Sequence, residues 1–333
     1  MTETALQKIL IAGASGSLGS ALLSAISNNS STTITVLTRA SSHARFPAHF
    51  AVKTVSEAFT IAELTVAFAG LYYPPNYNRR DHHSHMNAGQ DAVINALSTE
   101  PMTHDELQMR FVDAAIASGV QRYITGDFGI DNTNAAAQAL VPVFKAKGEV
   151  IEYLKRRTQE GGIRLTWTAV GTGSWLDWAF DKDFFKIQVR ERKATILDSG
   201  THKFTVTTLP NVALATAKIL QNPEATANRY LYFQDFACSL RDIVAELEMQ
   251  TGEKWELEMA SSETEIAKAR KGIAHGDAGA MYDLLSISFV GDAKVPRGTW
   301  FEEAGLDLAN ELIGGLPNVT LEDVVRVVLE RNN

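Results

Sequence analysis

A lysine stands on an otherwise apolar helix face, and it is the residue best suited to proton chemistry. The sequence predicts a helix over residues 143–157, in which Lys147 shares one face with Val143, Val150, Ile151 and Leu154. The apolar neighbours predict that this face points into the fold. Desolvation then lowers the lysine pKa, because it disfavours the charged form, and the amine can exchange a proton near neutral pH. The alternative is a lysine whose stem packs while its amine reaches water.

Other sources of proton transfer are weaker in this sequence. Ordinary short-chain dehydrogenases pair a tyrosine with a lysine four residues later, and none of the eight tyrosines here has that partner. Lys145 is not a second inward lysine, because it lies on a different face, next to Glu149, with which it can pair in water. Lys147 is therefore the candidate acid/base.

A glycine-rich turn joins the first predicted strand to the first predicted helix. Its residues are Gly13, Ala14, Ser15, Gly16, Ser17, Leu18 and Gly19. In a dinucleotide-binding turn the first glycine permits the tight bend, the second lets the backbone approach a pyrophosphate, and the third lets the helix pack on the strand. The helix N-terminus and the hydroxyls of Ser15 and Ser17 supply further donors to phosphate. The alternative is a tight turn without a ligand.

The end of the second predicted strand indicates which dinucleotide binds. NAD-selective sites carry an acid at this place, which holds the ribose hydroxyls. Here Arg39 ends the strand, and its guanidinium suits the 2′-phosphate of NADPH. Arg45 is a second, weaker candidate, and a plain surface arginine is the alternative. We expect no acid near this strand end, and the sequence therefore favours NADPH/NADP as cofactor.

These residues require a sheet that brings their strand ends together. Apolar and β-branched runs predict strands over residues 8–14, 33–39, 51–55, 92–97, 122–125 and 165–170, with helices between most of them. This alternation predicts an α/β fold, a Rossmann-type doubly wound parallel sheet. We expect an NADP-binding domain over residues 1–173. A smaller, partly interleaved substrate-binding lobe is expected over residues 174–333.

One segment does not fit this alternation. Residues 71–89 have no apolar period and interrupt the passage from a predicted helix to the strand that it should feed. We interpret them as an insert, either a long surface loop or a translated intron, and transcript sequencing distinguishes the two. Three histidines in the insert could suggest a metal site, but no carboxylate or cysteine cluster accompanies them, and a solvated loop is favoured: His82, His83 and His85.

Bulk composition limits the remaining function classes. The net charge of −8 argues against a nucleic-acid partner, which would need a basic face. The single cysteine, Cys238, cannot form an intramolecular disulfide and fits a reducing compartment. No signal peptide is evident and no apolar run approaches about 18 residues, so we expect a cytoplasmic protein with no membrane partner.

Together these features resemble the NmrA-like and isoflavone reductase-like families, which are atypical short-chain dehydrogenases, and fungal members in particular. The glycine turn is similar to the family's G-x-x-G-x-x-G. Residues 125–131 (TGDFGID) resemble its P-S-E-F-G-x-D segment, and residues 147–154 resemble its K-x-x-V helix. Residues 228–230 (NRY) resemble a segment of the family's substrate lobe. The resemblance extends over roughly residues 9–255.

The resemblance implies hydride transfer from NADPH to an aromatic or conjugated small molecule, with Lys147 as acid/base. It also implies that Phe128 lies near the cofactor and that Trp175 and Trp178 line the substrate cleft, although core packing is an alternative for both tryptophans. Two positions depart from the family pattern, since Gly126 replaces a serine and Ser56 replaces an aspartate.

The resemblance leaves two other functions open. Some NmrA-like proteins bind NADP(H) without reducing a substrate and act as redox sensors for a regulatory protein partner. Those members tend to lack the lysine, and Lys147 therefore favours an enzyme. A third interpretation is a pseudoenzyme that its insert has disabled.

Overall fold

The computed structural model describes residues 5–70, 89–98, 105–277, 279–291 and 298–332. The insert and its three histidines lie outside these ranges, except for Gly89. The residues that flank the insert are close together, since the Gln90 N–H donates to the Phe68 carbonyl oxygen at 2.9 Å. The residues before and after the insert therefore lie close together, which agrees with both a surface loop and a translated intron.

The strands form one large sheet and two small ones. Their bounds are β1 Lys8–Ala12, β2 Thr33–Arg39, β3 Ala51–Val55, β4 Ala92–Asn95, β5 Arg122–Ile124, β6 Thr166–Gly171, β7 Ile187–Gln188, β8 Lys193–Leu197, β9 Phe204–Val206, β10 Arg229–Tyr232, β11 Phe236–Cys238 and β12 Glu256–Ala260. The large sheet has the order β10-β6-β5-β4-β1-β2-β3, and its pairings from β3 across to β6 are parallel. The predicted Rossmann-type parallel sheet is confirmed.

Helices connect most of these strands. Their bounds are α1 Ser17–Ser27, α2 Ile61–Phe68, α3 Asp105–Ala117, α4 Ala135–Leu140, α5 Pro142–Thr158, α6 Leu176–Asp181, α7 Leu209–Gln221, α8 Leu240–Thr251, α9 Ser262–Ala274, α10 Ala280–Val290 and α11 Leu321–Asn332. Helix α2 begins after Thr60, whose side chain forms a reciprocal capping box with Glu63. Within the described ranges, no helix combines the length and the apolar character that a membrane crossing needs.

The chain divides into two compact units, each assembled from several segments. The first comprises Met1–Asp127, Ala146–Val170 and Ala213–Leu231. The second comprises Phe128–Lys145, Gly171–Val212 and Tyr232–Asn333. That residues 174–333 bind the substrate stays a prediction.

The core of the first unit covers the sheet on both faces. On one face Leu10 of β1 packs in a cluster with Phe111 of α3 and Ile151 of α5. Ile9 and Ile11 alternate with Leu10 along β1 and must point to the opposite face, and both are fully buried. Burial on both faces explains why β1 is an uninterrupted apolar run.

The second unit contains the two small sheets and an aromatic core. Strands β9 and β11 pair antiparallel, and β8 lies between β7 and β12. The ring centroids of Phe185, Phe204 and Phe289 lie 5.1 to 6.3 Å apart. Several aromatic residues that follow β6 therefore serve packing.

The position of residues 228–230 corrects an expectation. The resemblance suggested the substrate lobe, whereas β10 joins the large sheet beside β6 and these residues belong to the first unit. The Asn228 N–H donates to the Trp167 carbonyl oxygen at 2.7 Å, and Asn228 Oδ1 accepts from the Trp167 N–H at 3.1 Å. These hydrogen bonds join segments far apart in the chain, which a local sequence pattern cannot reveal.

Arg122 is a buried cation at the N-terminal end of β5, with 2% of its surface exposed. Its guanidinium donates to the hydroxyls of Thr166, Thr168 and Thr226 at 2.8 to 3.0 Å, and to the carbonyl oxygen of Pro223. Burial lowers the pKa of Arg122 to about 10, so the side chain stays charged at neutral pH. It joins β5 to β6 and to the segment before β10 through neutral acceptors.

We expect Arg122→Ala to lower the free energy of unfolding by about 2–4 kcal/mol, because it leaves a cavity and removes the donor to the buried hydroxyls of Thr168 and Thr226. Urea unfolding followed by circular dichroism measures the change. Arg164→Ala is the control, since Arg164 is exposed just before β6, and its effect should stay within about 0.5 kcal/mol. Equal losses in the two variants would contradict the role given to Arg122.

Candidate active site

The glycine turn after β1 has no room for side chains at two of its three glycines. Gly13 has a φ of +82°, and a Cβ there would lie 2.3 Å from the Ala96 carbonyl oxygen. A Cβ on Gly19 would lie 2.2 Å from the Gly13 carbonyl oxygen. Only glycine allows β1, the residues after β4, and helix α1 to approach this closely. The turn therefore needs Gly13 and Gly19 for its own structure.

The third glycine leaves space that a ligand can use. A Cβ on Gly16 would meet only the Gly13 carbonyl oxygen, at 3.4 Å, and Ser15, Gly16 and Ser17 are exposed. The first turn of α1 has no capping side chain and no acidic residue. Ala14 and Leu18 are buried and anchor the turn. The positive end of α1 is thus open to an anion, and the turn fits the pyrophosphate of a dinucleotide.

The end of β2 differs from the sequence prediction. Arg39 is half-exposed, and its Nη1 lies 3.3 Å from Oε2 of Glu57, which follows β3. Ser41 donates to Glu57 Oε1 through its N–H at 3.2 Å and through its hydroxyl at 2.5 Å. The prediction that no acid lies near this strand end is wrong. The parallel pairing of β2 with β3 brings Glu57 there from the next strand, which inspection of residues around Arg39 could not show.

Two other positions named in the sequence analysis, Arg45 and Ser56, lie outside the strands. Arg45 is exposed on the connection to β3. Ser56, which replaces a family aspartate, donates its hydroxyl to Glu63 Oε2 at 2.7 Å and its N–H to Glu63 Oε1 at 3.2 Å. Ser56 therefore supports the start of α2.

Lys147 lies on the inward face of α5, as the spacing predicts. Its apolar neighbours Ile151 and Leu154 are fully buried, Lys147 is half-buried, and Lys145 is exposed. The Lys147 Nζ donates to the Asp127 carbonyl oxygen at 2.9 Å. Desolvation lowers the Lys147 pKa, and the negative charge of Asp127 partly opposes that shift.

A polar network lies behind this lysine contact. The Asp127 carboxylate accepts hydrogen bonds from the hydroxyl of Thr125 and, at 3.2 Å, from the hydroxyl of Tyr230. Asp127 is 3% exposed. Tyr230 stands on β10, at the edge of the sheet, and reaches the residues after β5. The carboxylate and the carbonyl of Asp127 thus have separate partners, and Lys147 binds the carbonyl.

Tyr123 of β5 is fully buried and belongs to the structure of the sheet. Asn95 of β4 donates to its hydroxyl at 3.1 Å and also donates to Gln108 of α3. Burial raises the pKa of Tyr123, so its hydroxyl stays protonated. Tyr123 has none of the features of a proton donor to substrate.

The remaining predicted residues lie in the second unit. Phe128 is buried and has a φ of +42°, a backbone conformation that costs free energy in a non-glycine residue. Trp175 and Trp178 are half-buried, with ring centroids 5.9 Å apart in an edge-to-face arrangement. The Trp175 indole N–H donates to the Thr172 hydroxyl at 3.0 Å.

The structure brings together some predicted residues and adds others. The glycine turn follows β1 and Asp127 follows β5, so both lie at the carboxyl edge of the parallel strands, together with the Lys147 amine. Sequence analysis did not single out Glu57, Asp127 or Tyr230, because the fold brings each of them to a partner that is distant in the chain. Among the described residues, no group of three or more His, Cys, Asp or Glu side chains could hold a metal ion.

Comparisons with known proteins find relatives in sequence and in fold. Oxidoreductase aprR of Aspergillus flavus is 32% identical over 270 residues, which are 81% of this chain and 82% of that protein. The crystal structure of isoflavone reductase has a TM-score of 0.68 at 16% identity and covers 97% of this chain and 99% of its own. The complex of leucoanthocyanidin reductase from Vitis vinifera with NADPH has a TM-score of 0.69 at 15% identity, with the same coverage.

The NmrA-like family model matches residues 5–282. The matched part includes the glycine turn, residues 125–131, the helix of Lys147 and residues 228–230, on which the resemblance first rested. By this match, the chain belongs to the NmrA-like family.

Proposed function

We propose that this protein is an NADPH-dependent reductase of an aromatic or conjugated small molecule, with Lys147 as its acid/base. One observation carries the proposal: the Lys147 amine is half-buried on an apolar helix face and is held 2.9 Å from the Asp127 carbonyl oxygen. This contact lies at the strand edge that also bears the glycine turn. An amine desolvated and oriented in this way suits proton transfer near neutral pH.

The cofactor assignment rests on the turn and on relatives. Gly13 and Gly19 let the turn pack tightly against its neighbours, and Gly16 leaves the N-terminus of α1 approachable. These features fit NADPH, which supplies a hydride when bound. The relative from Aspergillus flavus is named an oxidoreductase, and leucoanthocyanidin reductase, which shares the fold, has been solved with NADPH.

The residues of this chain have distinct roles in the proposed reaction. The glycine turn holds the pyrophosphate, and Arg39 holds the 2′-phosphate, with Arg45 as a weaker candidate. Reduction of a conjugated double bond needs a proton as well as a hydride, and Lys147 gives that proton to the product. The family resemblance assigns Phe128 to the cofactor and Trp175 and Trp178 to the substrate. The aromatic indoles suit a flat, conjugated ligand.

We expect Lys147→Ala to lower kcat by about 10²- to 10⁴-fold, because proton transfer by a positioned side chain typically contributes this much. Consumption of NADPH with a panel of aromatic enones and phenylpropanoids identifies a substrate and measures the loss. NADPH affinity, measured by calorimetry, should change by less than about twofold, since the amine does not hold the dinucleotide.

Two further variants sharpen this test. Lys145→Ala removes an exposed amine from the outer face of the same helix and should keep full turnover. Lys147→Arg keeps the positive charge but cannot give up its proton near neutral pH, so it should stay as inactive as Lys147→Ala. Turnover that survives in both Lys147 variants would refute the acid/base role. NADPH binding without turnover of any tested compound would instead favour the non-catalytic sensor.

We expect Asp127→Asn to move the pH profile of kcat to lower pH. The carboxylate raises the Lys147 pKa, and removing its charge lowers that pKa further. If protonated Lys147 is the acid, the protonated fraction then declines at a lower pH. The alkaline limb of the kcat profile therefore moves to lower pH. The variant keeps the backbone carbonyl that holds the amine. Asp113→Asn, at a carboxylate bonded to Tyr153 and Arg157, is the control and should leave the profile unchanged.

We expect Arg39→Ala to weaken NADP⁺ binding by about tenfold, because a charge-assisted hydrogen bond to phosphate is lost at a half-exposed site. NAD⁺, which lacks the 2′-phosphate, should change by less than about twofold. Isothermal titration calorimetry measures both. Arg45→Ala should have the smaller effect, and a larger loss in Arg45→Ala than in Arg39→Ala would transfer the phosphate role to Arg45.

A further inference from the structure

Glu57 accepts three hydrogen bonds that a phosphate group could accept instead. Its donors are the Arg39 guanidinium at 3.3 Å, the Ser41 N–H at 3.2 Å and the Ser41 hydroxyl at 2.5 Å. We propose that Glu57 is a cofactor-specificity residue that weakens the preference for NADPH over NADH by occupying the donors of the 2′-phosphate. This inference rests on the proposed function, in which Arg39 binds that phosphate.

The position of Glu57 is built into the fold. Arg39 and Val55 are register partners in the pairing of β2 with β3, so Glu57 leaves β3 beside the end of β2. Two residues later Phe59 is buried at a φ of +45°, with its ring centroid 5.6 Å from that of Phe111. A short loop anchored in the core therefore carries the carboxylate.

A second contact fixes the same loop. The Arg110 guanidinium of α3 donates to the Ala58 carbonyl oxygen at 2.7 Å. Ala58 is the neighbour of Glu57, so the backbone on both sides of the carboxylate is constrained. The fold therefore sets the backbone position of Glu57 and places its carboxylate within reach of Arg39 and Ser41.

The charges decide what Glu57 does to each dinucleotide. The hydrogen bonds from Ser41 lower the Glu57 pKa, so the side chain is a carboxylate at neutral pH. A 2′-phosphate beside Arg39 would compete with this carboxylate for donors and would be repelled by it. A ribose 2′-hydroxyl can instead donate to the carboxylate, as it does to the acid of NAD-selective sites. Glu57 therefore opposes NADPH and favours NADH.

The effect should be moderate, because Arg39 and Glu57 are each about half-exposed, at 54% and 53%. Exposed ion pairs in water contribute little, and Glu57 can rotate into solvent when phosphate arrives. We therefore expect a change in affinity of about two- to fivefold upon its removal. NADPH still binds, but with less advantage over NADH than Arg39 alone would give.

Calorimetric titration of NADP⁺ and NAD⁺ into the full-length protein and the Glu57→Gln variant tests the inference. We expect NADP⁺ to bind about two- to fivefold more tightly to the variant and NAD⁺ to bind no more tightly. The control, Glu160→Gln, removes the same charge from an exposed glutamate that pairs with Arg157 after the C-terminal end of α5, and it should leave both affinities unchanged. Unchanged or weaker NADP⁺ binding to Glu57→Gln overturns the inference, as does an equal gain for both dinucleotides.

The Arg39→Ala variant separates this inference from the proposed function. If Arg39→Ala does not weaken NADP⁺ binding, the assignment of the phosphate site fails. If Arg39→Ala weakens it but Glu57→Gln does not strengthen it, only the role of Glu57 fails. The double variant completes the cycle: in the Arg39→Ala background, Glu57→Gln should give a smaller gain, because the guanidinium for which the two anions compete is gone.

Discussion

The close approach of Gly13 to the backbone after β4 is the constraint on which the site depends. A Cβ on Gly13 would stand 2.3 Å from the Ala96 carbonyl oxygen, so any larger residue would separate β1 from its neighbour or displace α1. The same approach aims the N-terminus of α1 at the carboxyl edge of the sheet. Because the strands are parallel, the carboxyl ends of β2 and β5, on either side of β1, lie at that same edge. Arg39 and the Lys147 contact with Asp127 are placed by this one arrangement.

Local sequence predicted those features whose causes are local. The glycine turn has a fixed spacing, and the apolar spacing around Lys147 gives an inward face, which is buried in the structure. The parallel sheet also followed, because helices between apolar runs leave few other topologies. What the sequence could not predict was pairing between segments distant in the chain. Glu57 reaches Arg39 through the β2–β3 pairing, and Tyr230 reaches Asp127 because β10 joins the sheet at its far edge.

The error about the acid near β2 has a specific physical cause. Selectivity for NAD or NADP depends on the charges that surround the ribose, and those charges come from every strand end that borders it. Inspection of the residues after Arg39 covers one strand only. Glu57 lies eighteen positions further along the chain, yet its carboxylate is 3.3 Å from the guanidinium. Under the role proposed for Glu57, cofactor selectivity depends on the residues at two strand ends, and an arginine at one of them is an incomplete predictor.

Two cations associated with β5, one buried and one half-buried, show how the fold sets protonation. Arg122, at the start of the strand, is desolvated, yet its pKa of about 10 keeps it charged, because a delocalised guanidinium shares its charge over several neutral acceptors. Lys147, beyond the end of the strand, concentrates its charge on one amine, and desolvation moves its pKa toward neutrality. A lysine in place of Arg122 would lose the delocalised charge that several neutral acceptors share, and an arginine in place of Lys147 would stay charged near neutral pH. The arginine suits a permanent structural role, and the lysine suits the proton transfer that we propose for it.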